Sequence, residues 1–314
     1  MRVIRGLPSS SDGPVALTIG NFDGVHRGHQ AMLSRLIEAA EDLALPSAVL
    51  TFDPHPREFF SAGSAPPRVS SLRSKLECFG NLGIARTVIA RFDQRLASLS
   101  PDEFIADVLV RRLDARWVLV GEDFRFGRGR AGDIATLRAA AKTFSVEAMR
   151  TVSIENERAS STAVRRALSS GNLEHAAAML GRPFAIAGRV SHGSKLGRSL
   201  GFPTANIHLR RMPPVSGIFA VRVHGLAKAP LPGVASVGVR PTITDSGEPV
   251  LEVFIFDFDQ AIYGRRVVVE FLHKLRDEER LPDLETLARR IRGDVADARA
   301  YFARNDSVPE PAAH

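Results

Sequence analysis

The chain has 314 residues, about twice a common domain of roughly 150, so two domains are expected. With 44% hydrophobic and 25% charged residues it belongs among folded globular proteins. No window reaches the ~18 apolar residues of a membrane span, and Met1 to Pro14 holds no apolar core before a small-residue cleavage site, so a cytoplasmic protein without membrane contact is expected.

One cysteine, Cys78, excludes an internal disulfide and any multi-cysteine metal centre, and a packed thiol is its simplest reading. The net charge of +7 and pI near 10.2 fit nucleic acid, small anions or a merely basic surface. The arginines are scattered and no basic run is interleaved with aromatics, which favours small anionic substrates over nucleic acid.

In chain order, the first half alternates β-branched runs (Val15 to Ile19, Ala48 to Phe52, Thr87 to Ala90, Trp117 to Val120, Val146 to Val152) with helical patterns (Gly28 to Glu41, Leu72 to Leu82, Pro101 to Arg112, Ile134 to Lys142). That alternation predicts an α/β domain with a doubly wound parallel sheet. Ser100, Pro101 and Glu103 mark one helix start as a capping box. Two short helices follow, Ala163 to Leu168 and Leu173 to Leu180, the second entered through Gly171-Asn172.

After Gly181-Arg182-Pro183 the texture changes to closely spaced strands, Ala185 to Val190, Ile218 to Val223, Val234 to Val239, Leu251 to Phe256 and Arg266 to Leu272, broken by Gly and Pro and closed by an amphipathic helix, Leu284 to Phe302. This predicts a small antiparallel β-barrel with a terminal helix. The expected domains are therefore 1–182 and 183–305, with 306–314 as a flexible polar tail.

The first candidate site is Gly20-Asn21-Phe22-Asp23-Gly24-Val25-His26-Arg27-Gly28-His29-Gln30, which leaves a strand and enters a helix. Free backbone N–H groups and the helix dipole make such a turn an anion cradle. Gly28 lets a phosphate approach while His26 and His29 donate to its oxygens, and nucleotidyl transfer needs little beyond this positioning and charge neutralisation. Zinc is disfavoured for want of further ligands. Ser160-Ser161-Thr162 with Arg165 read either as ordinary N-capping or, beside the histidine turn, as a clamp on the β- and γ-phosphates.

Two near-misses are set aside. Gly127 to Gly132 satisfies G-x-G-x-x-G but begins seven residues after the strand ending at Val120, too late for a dinucleotide fingerprint. Gly188 to Lys195 spaces glycines like a P-loop but has Ser194 in the lysine position.

The second candidate site is Gly193-Ser194-Lys195-Leu196-Gly197-Arg198-Ser199-Leu200-Gly201-Phe202-Pro203-Thr204-Ala205-Asn206. Gly193, Gly197 and Gly201, with Lys195 among them, suit a loop closing over ATP phosphates, or else a plain hairpin connection. If the chain is extended after Pro203, Thr204 and Asn206 share a face and could meet one Mg²⁺. Phosphorylating an alcohol requires a proton acceptor, and Glu252, acidic within an apolar strand, fits unless it simply faces solvent.

The first-half motifs, Gly20 to Gln30, Thr51 to Pro56, Gly121 to Gly127 and Ser160 to Arg165, together resemble the adenylyltransferase domain of bacterial bifunctional riboflavin kinase/FAD synthetases. Gly193 to Ile207, Gly217 to Val223, Ser236 to Thr242, Glu252, Asp257 to Asp259 and Tyr263-Gly264 resemble its kinase half, and the two matches cover nearly the whole chain in the family's order. The resemblance implies a nucleotidyltransferase domain followed by a six-stranded barrel, and conversion of riboflavin to FMN and of FMN to FAD with ATP and Mg²⁺.

It further implies that Gly20, Asn21, Phe22, His26, Gly28, His29, Ser160, Ser161, Thr162 and Arg165 hold ATP, with Asn21 at the α-phosphate. Phe52, His55, Pro56 and Asp123 would hold FMN, Thr204 and Asn206 the metal and phosphates of the kinase, and Glu252 would be its base. Three departures stand out: Ala159 before the Ser-Ser-Thr run, Phe254 where histidine is common, and Leu281-Pro282-Asp283 before the last helix. A homo-oligomer is left open. Competing readings are an H-x-G-H nucleotidyltransferase for another phosphorylated substrate, an aminoacyl-tRNA synthetase (disfavoured without a K-M-S-K-S-like segment), and a non-catalytic flavin- or RNA-binding regulator.

Overall fold

In the computed structural model, which describes residues 1–61, 63–193, 201–239, 249–279 and 282–305, the apolar runs of the first half form one sheet. Its strands are β1 (Arg2–Arg5), β2 (Val15–Ile19), β3 (Ser47–Asp53), β4 (Arg86–Arg91), β5 (Ala115–Gly121) and β6 (Ser145–Met149), in the order β1-β4-β3-β2-β5-β6. Every neighbouring pair is parallel.

All five residues of β2 are buried, as expected of a strand covered on both faces. Val15, Leu17 and Ile19 enter one core with Phe104, Val108, Leu109 and Leu137. Ala16, between them, enters the other with Leu33, Leu36, Phe79 and Leu119, against which Cys78 packs. Helices therefore cover both faces, as in a doubly wound fold: α1 (Arg27–Asp42) and α3 (Leu72–Asn81) supply one layer, and the segment from Pro101 to Arg112 with a helix at Ile134–Ala140 the other. Because strand order reverses between β3 and β5 around β2, the crevice above the carboxyl ends of these strands is where such sheets bind ligands.

The Ser100 capping box forms: Ser100 Oγ accepts from the Glu103 N–H at 3.2 Å and Glu103 accepts from the Ser100 N–H at 2.7 Å. Beyond it the helix widens from Phe104 to Arg112 into π-helical winding. Other differences from the sequence reading are local. β6 stops at Met149 rather than Val152, and β1, the short helices α2 (Pro56–Phe60) and α4 (Gln94–Ser98) and the hairpin Ser153–Ile154 with Glu157–Arg158 were not anticipated. Segments of two to five residues carry too few periods to declare themselves.

The chain divides into compact units at Ser161/Thr162. In the second unit, α7 (Ser161–Ser169) and α8 (Leu173–Leu180) precede six antiparallel strands, β9 (Phe184–Arg189), β10 (Ala205–His208), β11 (Gly217–His224), β12 (Leu231–Val239), β13 (Pro249–Ile255) and β14 (Arg266–Arg276). The order β10-β13-β12-β11-β14-β9 is nearly closed by a bridge from Ser191 to Asn206, next to β9 and on β10. β10 is the strand missing from the periodicity reading.

The last helix, Leu284–Asn305, lays Ala298 and Phe302 on Ile218, Ala220, Val234 and Phe256. Its buried Asp294 accepts two hydrogen bonds from Arg276, at 2.7 and 2.8 Å, which ties it to β14. The expected tail, 306–314, lies outside the described residues.

Candidate active sites

Three motifs follow three adjacent strands of the first sheet: Gly20 to Gln30 after β2, Pro54 to Pro56 after β3, and Glu122 to Gly127 after β5. The turn after β2 is held in an unusual conformation. Phe22 and Val25 have φ of 50° and 44°, left-handed values that are costly for a bulky or β-branched residue. Both are only 1% exposed, and Phe22 lies edge-on to Phe79 at 5.4 Å, so apolar burial offsets the backbone strain.

Polar contacts complete the anchoring. The buried carboxylate of Asp23 accepts from the N–H groups of Val69 and Ser70, all at 3.1 Å. Ser161 Oγ donates to the Asp23 carbonyl at 2.9 Å, and Ser70 Oγ accepts from the Gly24 N–H at 2.9 Å. A Cβ on Gly28 would press on the His26 ring and the Ala159 carbonyl at 3.2 and 3.3 Å, so the glycine permits this packing and Ala159 serves it through its backbone.

His26 is the N-cap of α1, its Nδ1 accepting from the His29 N–H at 3.4 Å. The two imidazoles stack with centroids 3.6 Å apart, and the second face of the His29 environment is Phe22, at 5.0 Å. Burial, then His26, then Lys75 hold the His29 pKa well below 6.5, so its ring is neutral at physiological pH. His29 Nδ1 and Asn21 Oδ1 are buried with no hydrogen-bond partner. Orphaned buried polar atoms cost stability, and a ligand that satisfies them explains their retention.

Sequence reasoning missed the residues beneath this turn. Lys75, 6% exposed, donates to the Asn21 carbonyl at 2.6 Å. Arg68 bridges Asp53 at 3.0 Å and the buried Glu58 at 2.5 Å, tying the end of β3 to α2. The available signal was phase: Lys75 shares the buried stripe of α3 with Phe79, four residues on, where a solvated lysine does not belong.

Among the residues expected at FMN, His55 caps α2, its Nδ1 accepting from the Arg57 N–H at 3.0 Å, and Pro56 is the first helical residue. Phe52 lies edge-on to Phe92 at 5.8 Å, within an aromatic group whose Phe60 is 67% exposed. Asp123 is exposed and accepts from Arg158 at 2.6 Å. Gly20 packs on the Phe22 ring, and Ser160 immediately precedes α7. Thr162 and Arg165 lie on α7 and belong to the second unit.

In the barrel, strand register assembles the second site. Asn206 on β10 is opposite Glu252 on β13, which is opposite Ser236 on β12. Leu251 and Val253 are buried inside, which turns the half-buried Glu252 and Phe254 to the other face. Asn206, 4% exposed, donates through Nδ2 to the Thr204 carbonyl at 3.2 Å and approaches its hydroxyl at 3.4 Å, so these two side chains do share one side.

A Cβ on Gly193 would collide with the Asn206 amide, which explains glycine there. Gly201 adopts φ of 87°, while Lys195 and Gly197 lie outside the described residues. Ser236 Oγ donates to Glu278 at 3.2 Å, and burial, with Glu252 adding repulsion, raises the Glu278 pKa. Ser236 stood in the family-like run Ser236 to Thr242, but its pairing with Glu278, 42 residues on and just past β14, was not anticipated. Phe254 packs edge-on to Phe202 at 5.4 Å, giving the position an aromatic role in place of a polar one. Leu281 lies outside the described residues.

Comparison with known proteins gives both halves a family. The family model described as FAD synthetase matches residues 9–163, and that described as riboflavin kinase matches 180–302. The bifunctional riboflavin kinase/FMN adenylyltransferase of Escherichia coli strain K12 is 45% identical over 308 residues, covering 96% of this chain and 98% of that protein. The protein of that name from Pseudomonas fluorescens is 47% identical over 309 residues, with 96% and 98% covered. A solved structure described as a macrolide-efflux protein from Streptococcus pneumoniae superposes with a TM-score of 0.79 at 28% identity, over 97% of this chain and 99% of that one. The efflux description belongs to that protein; among the described residues here no helix is long and apolar enough to cross a membrane.

Proposed function

Since the chain belongs to the bifunctional riboflavin kinase/FMN adenylyltransferase family, with both enzyme activities and ATP as their co-substrate, we propose how its residues divide the work. Residues 1–182 carry adenylyl transfer and 183–305 the kinase, a division supported by the spans the two family models match.

In adenylyl transfer a phosphate oxygen of FMN attacks the α-phosphorus of ATP and pyrophosphate leaves. Asn21, His26, His29 and the N–H groups around Gly20 and Gly28 receive the nucleotide's phosphates, and Ser160, Ser161, Thr162 and Arg165 hold the departing pyrophosphate. The single observation that carries this reading is the buried His29 Nδ1, without a partner in the turn at the sheet's switch point, a ring nitrogen that as N–H donates to a phosphate oxygen. FMN lies toward Phe52, His55, Pro56 and Asp123, where the exposed ring of Phe60 extends an aromatic surface suited to a planar flavin.

In the kinase, Glu252 accepts the proton of the riboflavin hydroxyl as that oxygen takes the γ-phosphoryl group of ATP, with Gly193, Lys195, Gly197 and Gly201 covering the phosphates. Thr204 and Asn206 fit Mg²⁺: both offer hard oxygens, the Asn206 amide nitrogen turns toward Thr204, and Mg²⁺ needs few protein ligands because water and phosphates complete its shell. The ion, when bound, neutralises phosphate charge. Incubating the protein with riboflavin, ATP and Mg²⁺ and resolving flavins over time tests the scheme: FMN should appear first and FAD follow, and omission of Mg²⁺ should stop the first step.

A further inference from the structure

The assigned roles leave one buried charge unused. Lys75 reaches from α3 under the Gly20 to Gly24 turn, and among the described residues the Asn21 carbonyl is its one hydrogen-bond acceptor. An ammonium carries three N–H donors and is costly to bury. The titratable groups around it come from every neighbouring element: Asp23 on the turn, the neutral His29 on α1, Asp53 at the end of β3, Glu58 on α2, and Arg68 ahead of α3. Two of the carboxylates, Asp53 and Glu58, are engaged by Arg68, and Asp23 accepts from the backbone of Val69 and Ser70. The ammonium is thus left directly behind the residue whose side-chain oxygen is orphaned.

We propose that Lys75 is a positioning residue for adenylyl transfer: its buried ammonium clamps the Asn21 carbonyl, fixing the phosphate turn, and its charge favours binding of the nucleotide's triphosphate there. The proposal rests on the placement of ATP at the histidine turn. Burial outweighs the attraction of Asp23 and lowers the Lys75 pKa to about 8. The charged form that attracts phosphate is therefore present below that pH and lost above it, whereas an arginine stays charged throughout.

The test measures kcat/KM for ATP in FAD formation from supplied FMN across pH 6.5 to about 10, with riboflavin phosphorylation by the same preparation as reference. Relative to that reference the wild-type value should fall as pH rises through the Lys75 pKa and level off near the value of the uncharged Lys75→Met variant. Lys75→Arg should retain FAD formation and lose the fall, and Lys75→Met should raise the KM for ATP about tenfold or more at neutral pH with a smaller change in kcat.

A wild-type profile that stays flat, a Lys75→Arg profile that falls as the wild type does, or an unchanged KM in Lys75→Met would each overturn the proposal. The wild-type profile decides even if a variant does not fold. His29→Ala separates the underlying placement from the proposal: undiminished FAD formation by that variant removes ATP from the turn and Lys75's role with it, while a wild-type fall that Lys75→Arg retains removes Lys75 alone.

Discussion

The two sites are preorganised by opposite means. The histidine turn is built from eleven consecutive residues forced into left-handed backbone at Phe22 and Val25 and pinned from below by Asp23, Lys75 and buried rings. The barrel site has no comparable local strain among the described residues of its strands; it draws Asn206, Glu252 and Ser236 from three strands and relies on ladder register to bring them level. A strained turn can store unsatisfied polar groups for a ligand. A ladder can hold a carboxylate still but cannot move it without breaking hydrogen bonds.

The sharpest way to break this contrast is to remove the carboxylate. Glu252→Gln should lower FMN formation by about 10²- to 10⁴-fold, the usual range for a general base, while FMN supplied directly is still converted to FAD; chromatography of both reactions checks this, and joint loss would argue against separable sites. His29→Ala is the mirror experiment. FAD formation should fall about 10²- to 10³-fold, as for loss of a preorganised donor, and FMN should accumulate.

Smaller effects probe the scaffolds. Asp23→Ala leaves the buried Val69 and Ser70 N–H groups without their acceptor and should cost about 1–3 kcal/mol per group left unsatisfied, seen as a lower midpoint for the first unit in denaturant titration, with the kinase reaction retained. Gly193→Ala forces the Asn206 amide to move and should raise the kinase KM for ATP several-fold without touching FAD formation.

The smallest effect is a pH dependence. The folded His29 pKa lies below the unfolded 6.5, so as pH falls through 6.5 the unfolded chain binds the proton first and stability declines. The melting temperature of the first unit should drop between pH 7 and 5, and the drop should be shallower in His29→Gln.

What could be read from the sequence follows the same contrast. The histidine turn is contiguous, so Gly20, Asn21, His26, Gly28 and His29 declared themselves together, and the sheet was legible because β2 and its neighbours are long apolar runs. Lys75 and the anchoring by Asp23 escaped notice because their contacts span 46 to 54 residues, and Arg68 because its pairing with Asp53 and Glu58 depends on how the chain folds back after α2. In the barrel, Thr204, Asn206 and Glu252 were expected from their chemistry; the Ser236–Glu278 pair was not, since its partners are 42 residues apart in the chain.

The division of the chain at Ser161/Thr162 has a consequence for anyone recombining such enzymes. The segment from Ser160 to Arg165 reads as one motif, yet α7 from Thr162 on falls with the barrel, and α8, with Leu173, Ala176, Met179 and Leu180 buried, contacts β9 and β14. A chimera joined after Arg182 would supply the kinase with a foreign α8 on its own barrel wall, while one joined at Thr162 would leave Arg165 with the kinase donor. The seam between the compact units precedes the boundary proposed between the two activities by two helices, α7 and α8, so an exchange of modules made at one is not the exchange made at the other.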